Sequence, residues 1–185
     1  MILIKDGDGM RFTETGLGGA WVIDPDPHED ERGRFMRAWC ALEFAEHGIE
    51  FRPLQANMGF SIHRGTIRGM HFQEAPALEA KLVRCTRGVI FDVVLDVRPG
   101  SLSYGNWYGV ELSAENGRML FVPEHCAHGY QTLRESSEIY YMASEVYSPS
   151  SARGVRFDDP AFNIRWPLPV AMVSEQDCNW PLAKH

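Results

Sequence analysis

Asp92-Val-Val-Leu-Asp-Val-Arg98 restricts the fold more than any other run in the chain. It is strongly apolar and β-branched, so it reads as a central strand. The same grammar repeats along most of the sequence: short β-prone segments split by turn residues. They cover residues 20–24, 34–39, 52–62, 66–72, 81–86, 89–97, 107–112, 119–122, 128–133 and 138–144. A Pro/Asp/Glu-rich loop is expected over residues 25–31. Residues 40–47, before Gly48, form the one expected N-terminal helix. Arg87-Gly88, between two β segments, is a hairpin signal. The tail from Asp158 is proline-rich and irregular, with a short helix near Ser174. Many short strands at regular spacing indicate a sandwich or a closed barrel. No linker, repeat or low-complexity tract interrupts them, so residues 1–185 read as one domain.

Bulk properties narrow the function. The formal net charge of −7 argues against general nucleic-acid binding, which needs a basic face. It leaves room for a small anionic ligand, because the arginines cluster locally: Arg32, Arg34 and Arg37; Arg64 and Arg68; Arg84 and Arg87 with Lys81. Residues 1–8 turn polar after four positions and lack the apolar core of a signal peptide. No apolar run is long enough to span a membrane, so the cytoplasm is the expected compartment. Cys40, Cys85, Cys126 and Cys178 are widely spread without a Cys-x-x-Cys pair. That pattern reads as reduced thiols and as neither a disulfide framework nor a zinc ribbon.

Gly65-Thr-Ile-Arg-Gly-Met-His-Phe-Gln73 and Val122-Pro-Glu-His-Cys-Ala-His-Gly-Tyr130 carry the chemistry. On a regular strand Arg68, Met70 and Phe72 share one face, and Ile67, Gly69, His71 and Gln73 the other. His71 and Gln73 then line a polar stripe, with Gly69 leaving room beside the imidazole. A neutral imidazole is a suitable base near neutral pH, and it needs a carboxylate to hold its tautomer. Spacing alone leaves Asp92, Asp96, Asp158, Asp159 and Asp177 all open as that partner. A metal set of His71, His128 and Cys126 is conceivable, but there is no His-x-His pair, and the spacing favours a metal-free site. Tyr140 and Tyr141 point to opposite faces, so one phenol points inward, either capping the core or serving as a general acid. Lys81 leads into an apolar strand, where it either snorkels or stabilises an enolate oxygen. The residues alone thus give a β barrel with a His/Lys/Tyr/Arg cavity suited to an anionic ligand.

Several blocks in order carry a resemblance: Asp30-Glu-Arg-Gly33, Gln55-Ala-Asn57, Arg68-Gly-Met-His-Phe-Gln73, Lys81-Leu-Val-Arg-Cys85, Val122-Pro-Glu124, Ala127-His-Gly-Tyr-Gln-Thr-Leu133, Asp158-Asp-Pro160 and Ile164-Arg-Trp-Pro167. From about Trp21 to Pro181 the chain resembles the dTDP-4-dehydrorhamnose 3,5-epimerases. The resemblance implies an all-β, cupin-type jelly-roll barrel with a few short peripheral helices. It implies epimerisation at C3 and/or C5 of a nucleotide-linked 4-keto-6-deoxy sugar, by a homodimer without metal or cofactor. His71 then stands at the general base, Asp177 at its carboxylate partner and Tyr141 at the general acid. Lys81 and His128 stand near the C4 oxygen. Arg68 and Arg32 stand at phosphate-binding positions, with Arg32 reaching across the dimer. Gln55 and Asn57 stand at nucleotide- or phosphate-contacting positions, and Phe35, Tyr147 and Trp166 at aromatic substrate-binding ones. Arg34, Arg37 and Gly59 depart from the family pattern on the nucleotide side. The alternative reading is a metal-dependent cupin enzyme, an oxygenase or an isomerase.

Overall fold

The computed structural model describes residues 9–183; residues 1–8, read from sequence as lacking the apolar core of a signal peptide, lie outside them. In chain order the strands are β1 (Met10–Glu14), β2 (Trp21–Pro25), β3 (His28–Asp30), β4 (Gly33–Phe35), β5 (Gln55–Ser61), β6 (Ile67–Gln73), β7 (Lys81–Arg87), β8 (Val89–Asp96), β9 (Trp107–Ser113), β10 (Met119–Val122), β11 (Cys126–Thr132), β12 (Ser137–Ala143) and β13 (Ala152–Gly154). Two short helices accompany them, α1 (Ala41–Glu46) and α2 (Glu175–Cys178). The fold is the all-β jelly roll that the sequence predicts. A six-stranded sheet, β1-β2-β10-β7-β12-β5, faces a five-stranded sheet, β13-β6-β11-β8-β9. Among the described residues no helix is long and apolar enough to cross a membrane.

Strand alternation explains how the layers pack. On β8, Ile90 and Val94 point between the sheets, where they meet Val83 and Cys85 of β7, Leu120 and Val122 of β10, and Ile139 of β12. Val93 and Leu95 point the other way, into a cluster with Met70, Ala127 and Phe162. Both faces of β8 are covered, which is why it carries apolar residues at nearly every position. The outer face of the larger sheet is covered as well, where Phe44 of α1 packs with Ile23, Leu82, Met119 and Phe121. Each such buried side chain contributes roughly 1.5–3 kcal/mol. Val22 of β2, Val110 and Leu112 of β9, and Leu120 and Val122 of β10 belong to the apolar filling between the sheets. Toward β5, β6 and β12 the lining turns polar, and a cavity opens there.

Three expectations need correction. First, Arg87-Gly88 does not close a hairpin. β7 pairs with β10 and β12, whereas β8 pairs with β11 and β9, so the turn carries the chain from one sheet to the other. A Gly turn reverses direction, but the inward residues of these two strands, Val83 and Cys85 with Ile90 and Val94, share the core between the sheets instead. Gly88 is needed for the crossing: its φ is 77°, and an added Cβ would lie 2.5 Å from Ser137 Oγ. Second, residues 25–31 are not all loop. β3 pairs with β4 in a small exposed hairpin, and the extended segment expected over residues 34–39 stops at Phe35. Third, β6 does not alternate regularly. His71 pairs with His128 and Arg68 with Tyr130, so three steps on β6 oppose two on β11. This bulge shifts the phase, and Arg68 and His71 line the same cavity. Gly69 makes it possible, since a Cβ there would lie 2.4 Å from Gly129 Cα.

Candidate active site

The cavity, about 660 Å³, lies between the two sheets and suits a small-molecule ligand. β6 and β11 contribute Arg68, His71, His128 and Tyr130 from one side. β5, β7 and β12 contribute Asn57, Lys81 and Tyr141 from the other, and α2 with its N-cap closes the rim through Asp177 and Ser174. Gln73 does not extend a polar stripe into it. Its carboxamide donates to Ala77 O and Val146 O and accepts from Ser148 N–H, so it fixes the loops behind the site.

His71 is paired through Nε2 with Asp177 Oδ1 at 2.5 Å. Asp177 is itself held. The Ser174 side chain caps α2 by accepting the Asp177 N–H at 3.1 Å, and Asp177 Oδ2 accepts the Gly69 N–H at 3.3 Å. Burial works to raise the Asp177 carboxyl, yet the hydrogen bond and charge of His71, with Gly69 and Ser174, hold it below the ordinary carboxylate range. Trp180 stands edge-on to the imidazole, with ring centroids 6.5 Å apart, and its indole N–H points at Asp177 Oδ1 at 3.4 Å. Gly154 makes space for the indole, because a Cβ there would lie 2.2 Å from it.

A second imidazole–carboxylate pair lies one strand deeper. His128 Nε2 meets Asp92 Oδ1 at 2.8 Å. Burial pushes the Asp92 carboxyl above its ordinary range, against the pull of His128 and Lys81, and its Oδ2 has no hydrogen-bond partner among the described residues. Lys81 Nζ sits 3.5 Å from His71 O and 3.4 Å from Glu79 Oε2. Burial lowers its affinity for a proton, while Glu79 and Asp92 counteract. The Tyr141 phenol is pushed up, mainly by burial and then by Glu79 and Tyr130. Arg68 is held by Ser61 Oγ and Phe60 O, both at 3.1 Å, with its guanidinium at the exposed end of the cavity.

Of the residues picked from sequence, His71, Asp177, Tyr141, Lys81, His128, Arg68 and Asn57 line this one cavity. The remainder lie elsewhere. Gln55 starts β5, paired with Ala143. Arg32 and Phe35 stand exposed on the β3–β4 hairpin, Arg32 bonded to Asp30. Tyr147 is exposed beyond β12. Trp166 does not line the cavity: it donates to Phe157 O at 2.9 Å and packs against Phe91 on the outer face of the smaller sheet. Cys126 is buried among the inter-sheet apolar residues, its thiol pushed up to about 12 chiefly by burial, so His71, His128 and Cys126 do not converge. Sequence reasoning missed Glu79, Tyr130 and Trp180, and it left Asp92 without a partner. The even parity Asp92 shares with Val94, which pairs with His128, is the one signal that points to it.

The constellation offers a carboxylate-oriented base on one sheet and a protonated phenol on the other, with cationic and imidazole donors between them. Such a set can take a proton from one face of a carbon acid, hold the resulting oxyanion, and return a proton to the other face.

The chain also has relatives among known proteins. Residues 14–185 match the family model described as dTDP-4-dehydrorhamnose 3,5-epimerase. A protein of that description from Methanothermobacter thermautotrophicus is 45% identical over 175 residues, covering 92% of this chain and 93% of its own. The crystal structure of the enzyme of that name from Bacillus anthracis, with TDP and PPi bound, superposes with a TM-score of 0.91 at 34% identity, covering 95% of this chain and all of the other (100%). The structure of a dTDP-6-deoxy-D-glucose-3,5-epimerase from Legionella pneumophila, in complex with dTDP-4-keto-L-rhamnose, gives 0.88 at 34% identity, with 94% and 92% covered.

Proposed function

The chain belongs to the dTDP-4-dehydrorhamnose 3,5-epimerase family, isomerases of deoxysugar biosynthesis, and from that membership we propose how its own residues divide the work. The substrate is a nucleotide diphosphate linked to a 4-keto-6-deoxy sugar. Its C4 carbonyl acidifies the protons on C3 and C5. His71, oriented by Asp177, removes one of them, and charge moves to the C4 oxygen, where Lys81 and His128 stabilise it. Tyr141 delivers a proton from the opposite sheet, which inverts the centre. One group returning its own proton would give exchange without inversion, so two faces need two groups. Arg68 anchors the diphosphate, its planar fork matched to phosphate, and Asn57 assists. This remote grip aligns the ring with the base.

The observation that carries this reading is the 2.5 Å His71–Asp177 pair opening into a cavity whose far wall bears Tyr141. A homodimer belongs to the same proposal. β5 ends the larger sheet with Leu54, Met58, Phe60 and Ile62 exposed near its unpaired edge, an apolar surface suited to a second copy. Arg32 and Phe35, remote from their own chain's cavity, are then available to the neighbour's site. The cytoplasm is the compartment where nucleotide-sugar substrates of this class would be met.

Incubation in D₂O with a dTDP-linked 4-keto-6-deoxyglucose, followed by NMR, tests the assignment. The wild type is expected to place deuterium at C3 and/or C5 and to invert the labelled centre. His71→Ala is expected to lower wash-in by at least about 10²-fold. Tyr141→Phe is expected to keep exchange and lose inversion. Wash-in at the wild-type rate in His71→Ala removes His71 as the base.

A further inference from the structure

Glu79 is a buried acid that the mechanism above does not use. It lies in the turn before β7 and does not line the cavity, yet its side chain is only 8% exposed. The turn is pinned. Ala80 N–H donates to Ser144 Oγ at 2.8 Å, Ser144 N–H returns a bond to Ala80 O at 3.0 Å, and Gln73 holds Ala77 O at 3.0 Å. The carboxylate is therefore delivered to one place, 3.4 Å from Lys81 Nζ. Lys81 is nearly as enclosed, with its side chain 11% exposed. A lysine so placed without a counter-charge sheds its proton, and a neutral amine is a poor partner for an oxyanion.

We infer that Glu79 is a positioning residue: it seats the Lys81 ammonium at the cavity wall from behind and supplies the counter-charge that the enclosed site withholds. The inference rests on the role assigned to Lys81 above and deepens it. Titratable groups face this ammonium from every neighbouring strand: His71 on β6, Asp92 on β8, His128 and Tyr130 on β11, and Tyr141 on β12. Glu79 acts on Lys81 and on Tyr141 in the same direction. Its negative charge favours the protonated ammonium of Lys81 and opposes ionisation of the Tyr141 phenol. Both groups work in their protonated forms, one holding the oxyanion and the other donating. Catalysis is therefore lost as pH rises through either titration. Removing the Glu79 charge lowers both titrations, so the alkaline limb of activity moves toward acid.

The chain has three lysines, Lys5, Lys81 and Lys184, which makes a direct measurement practical. Lysine labelled with ¹³C at Cε gives three side-chain signals, and Lys81→Arg identifies the one of interest. In ligand-free Glu79→Gln that signal is expected to titrate about one pH unit below its wild-type midpoint. The alkaline limb of kcat for deuterium wash-in is expected to shift the same way, with KM for the sugar nucleotide changed less than about twofold, because Glu79 touches no substrate. Glu79→Asp, which keeps the charge, restores both midpoints toward wild type. A Lys81 midpoint in Glu79→Gln equal to wild type overturns the inference. So does a shift that Glu79→Asp reproduces, since that marks altered packing rather than lost charge. The ligand-free titration needs no turnover. Absent wash-in by the wild type would sink the epimerase assignment while leaving this measurement to decide the role of Glu79.

Discussion

Two imidazole–carboxylate pairs stand side by side on neighbouring strands, joined by the His71–His128 register pairing, and they are built for different work. The His71 side chain is 44% exposed, and its partner Asp177 comes from a capped helix more than a hundred residues away, the separation being 106. The His128 side chain is 9% exposed, and its partner Asp92 comes from the adjacent strand with no exposure at all. Surroundings pull the two carboxyls apart: Asp177 is held below the ordinary range and Asp92 is driven above it. An open imidazole backed by a firmly ionised carboxylate can accept a proton from a ligand. A sunken imidazole whose carboxylate is already short of solvation serves better as a fixed donor. The same two residue types, a strand apart, thus sit one open to the cavity and one enclosed.

The largest effect that separates the pairs is on stability. His128→Ala strands Asp92 in the interior and is expected to cost about 3–5 kcal/mol in urea unfolding, whereas His71→Ala, at the cavity surface, is expected to stay within about 1 kcal/mol. Equal losses would erase the distinction. Next comes orientation. Asp177→Asn is expected to slow wash-in by about 10–100-fold with little change in melting temperature, since the ring keeps its place but loses its tautomer control. A variant that melts early and exchanges at full rate would make Asp177 part of the scaffold instead. The smallest expected effect concerns the indole behind the open pair. Gly154→Ala places a methyl group where Trp180 now lies and is expected to lower wash-in by about 3–10-fold through displacement of the ring that flanks His71 and Asp177. Undiminished exchange would show that the open pair needs no support from that side.

How much of this was legible beforehand differs by kind of feature. β8 and β10 stand out in the sequence because covered strands carry nearly continuous apolar runs, and α1 stands out because Gly48 follows its end. β1 and β13 were invisible: one is a mostly exposed edge strand with little alternation, the other three residues long. Turn chemistry at Arg87-Gly88 marked a reversal correctly but carried no information about which strands pair. Within the site, His71 could be singled out by residue type, whereas choosing Tyr141 over Tyr140 rested on the family resemblance. The choice of Asp177 over four other aspartates could not, because it depends on where a distant helix docks. Trp166 looked like a lining aromatic, yet the alternation of β8 sends its neighbour Phe91 outward and takes the indole with it. Glu79 offered no local pattern, since its importance comes from burial beside Lys81.

The phase slip in β6 has an implication for how such a site can change over time. Upstream of Gly69 the inward positions include Arg68, to which the proposed mechanism gives the anionic end of the ligand. Downstream they include His71, its proposed base. Because the glycine resets the count, substitutions on one half need not be compensated on the other. With the roles proposed above, ligand choice and reactivity are uncoupled along a single strand, and a lineage could retarget one while inheriting the other intact.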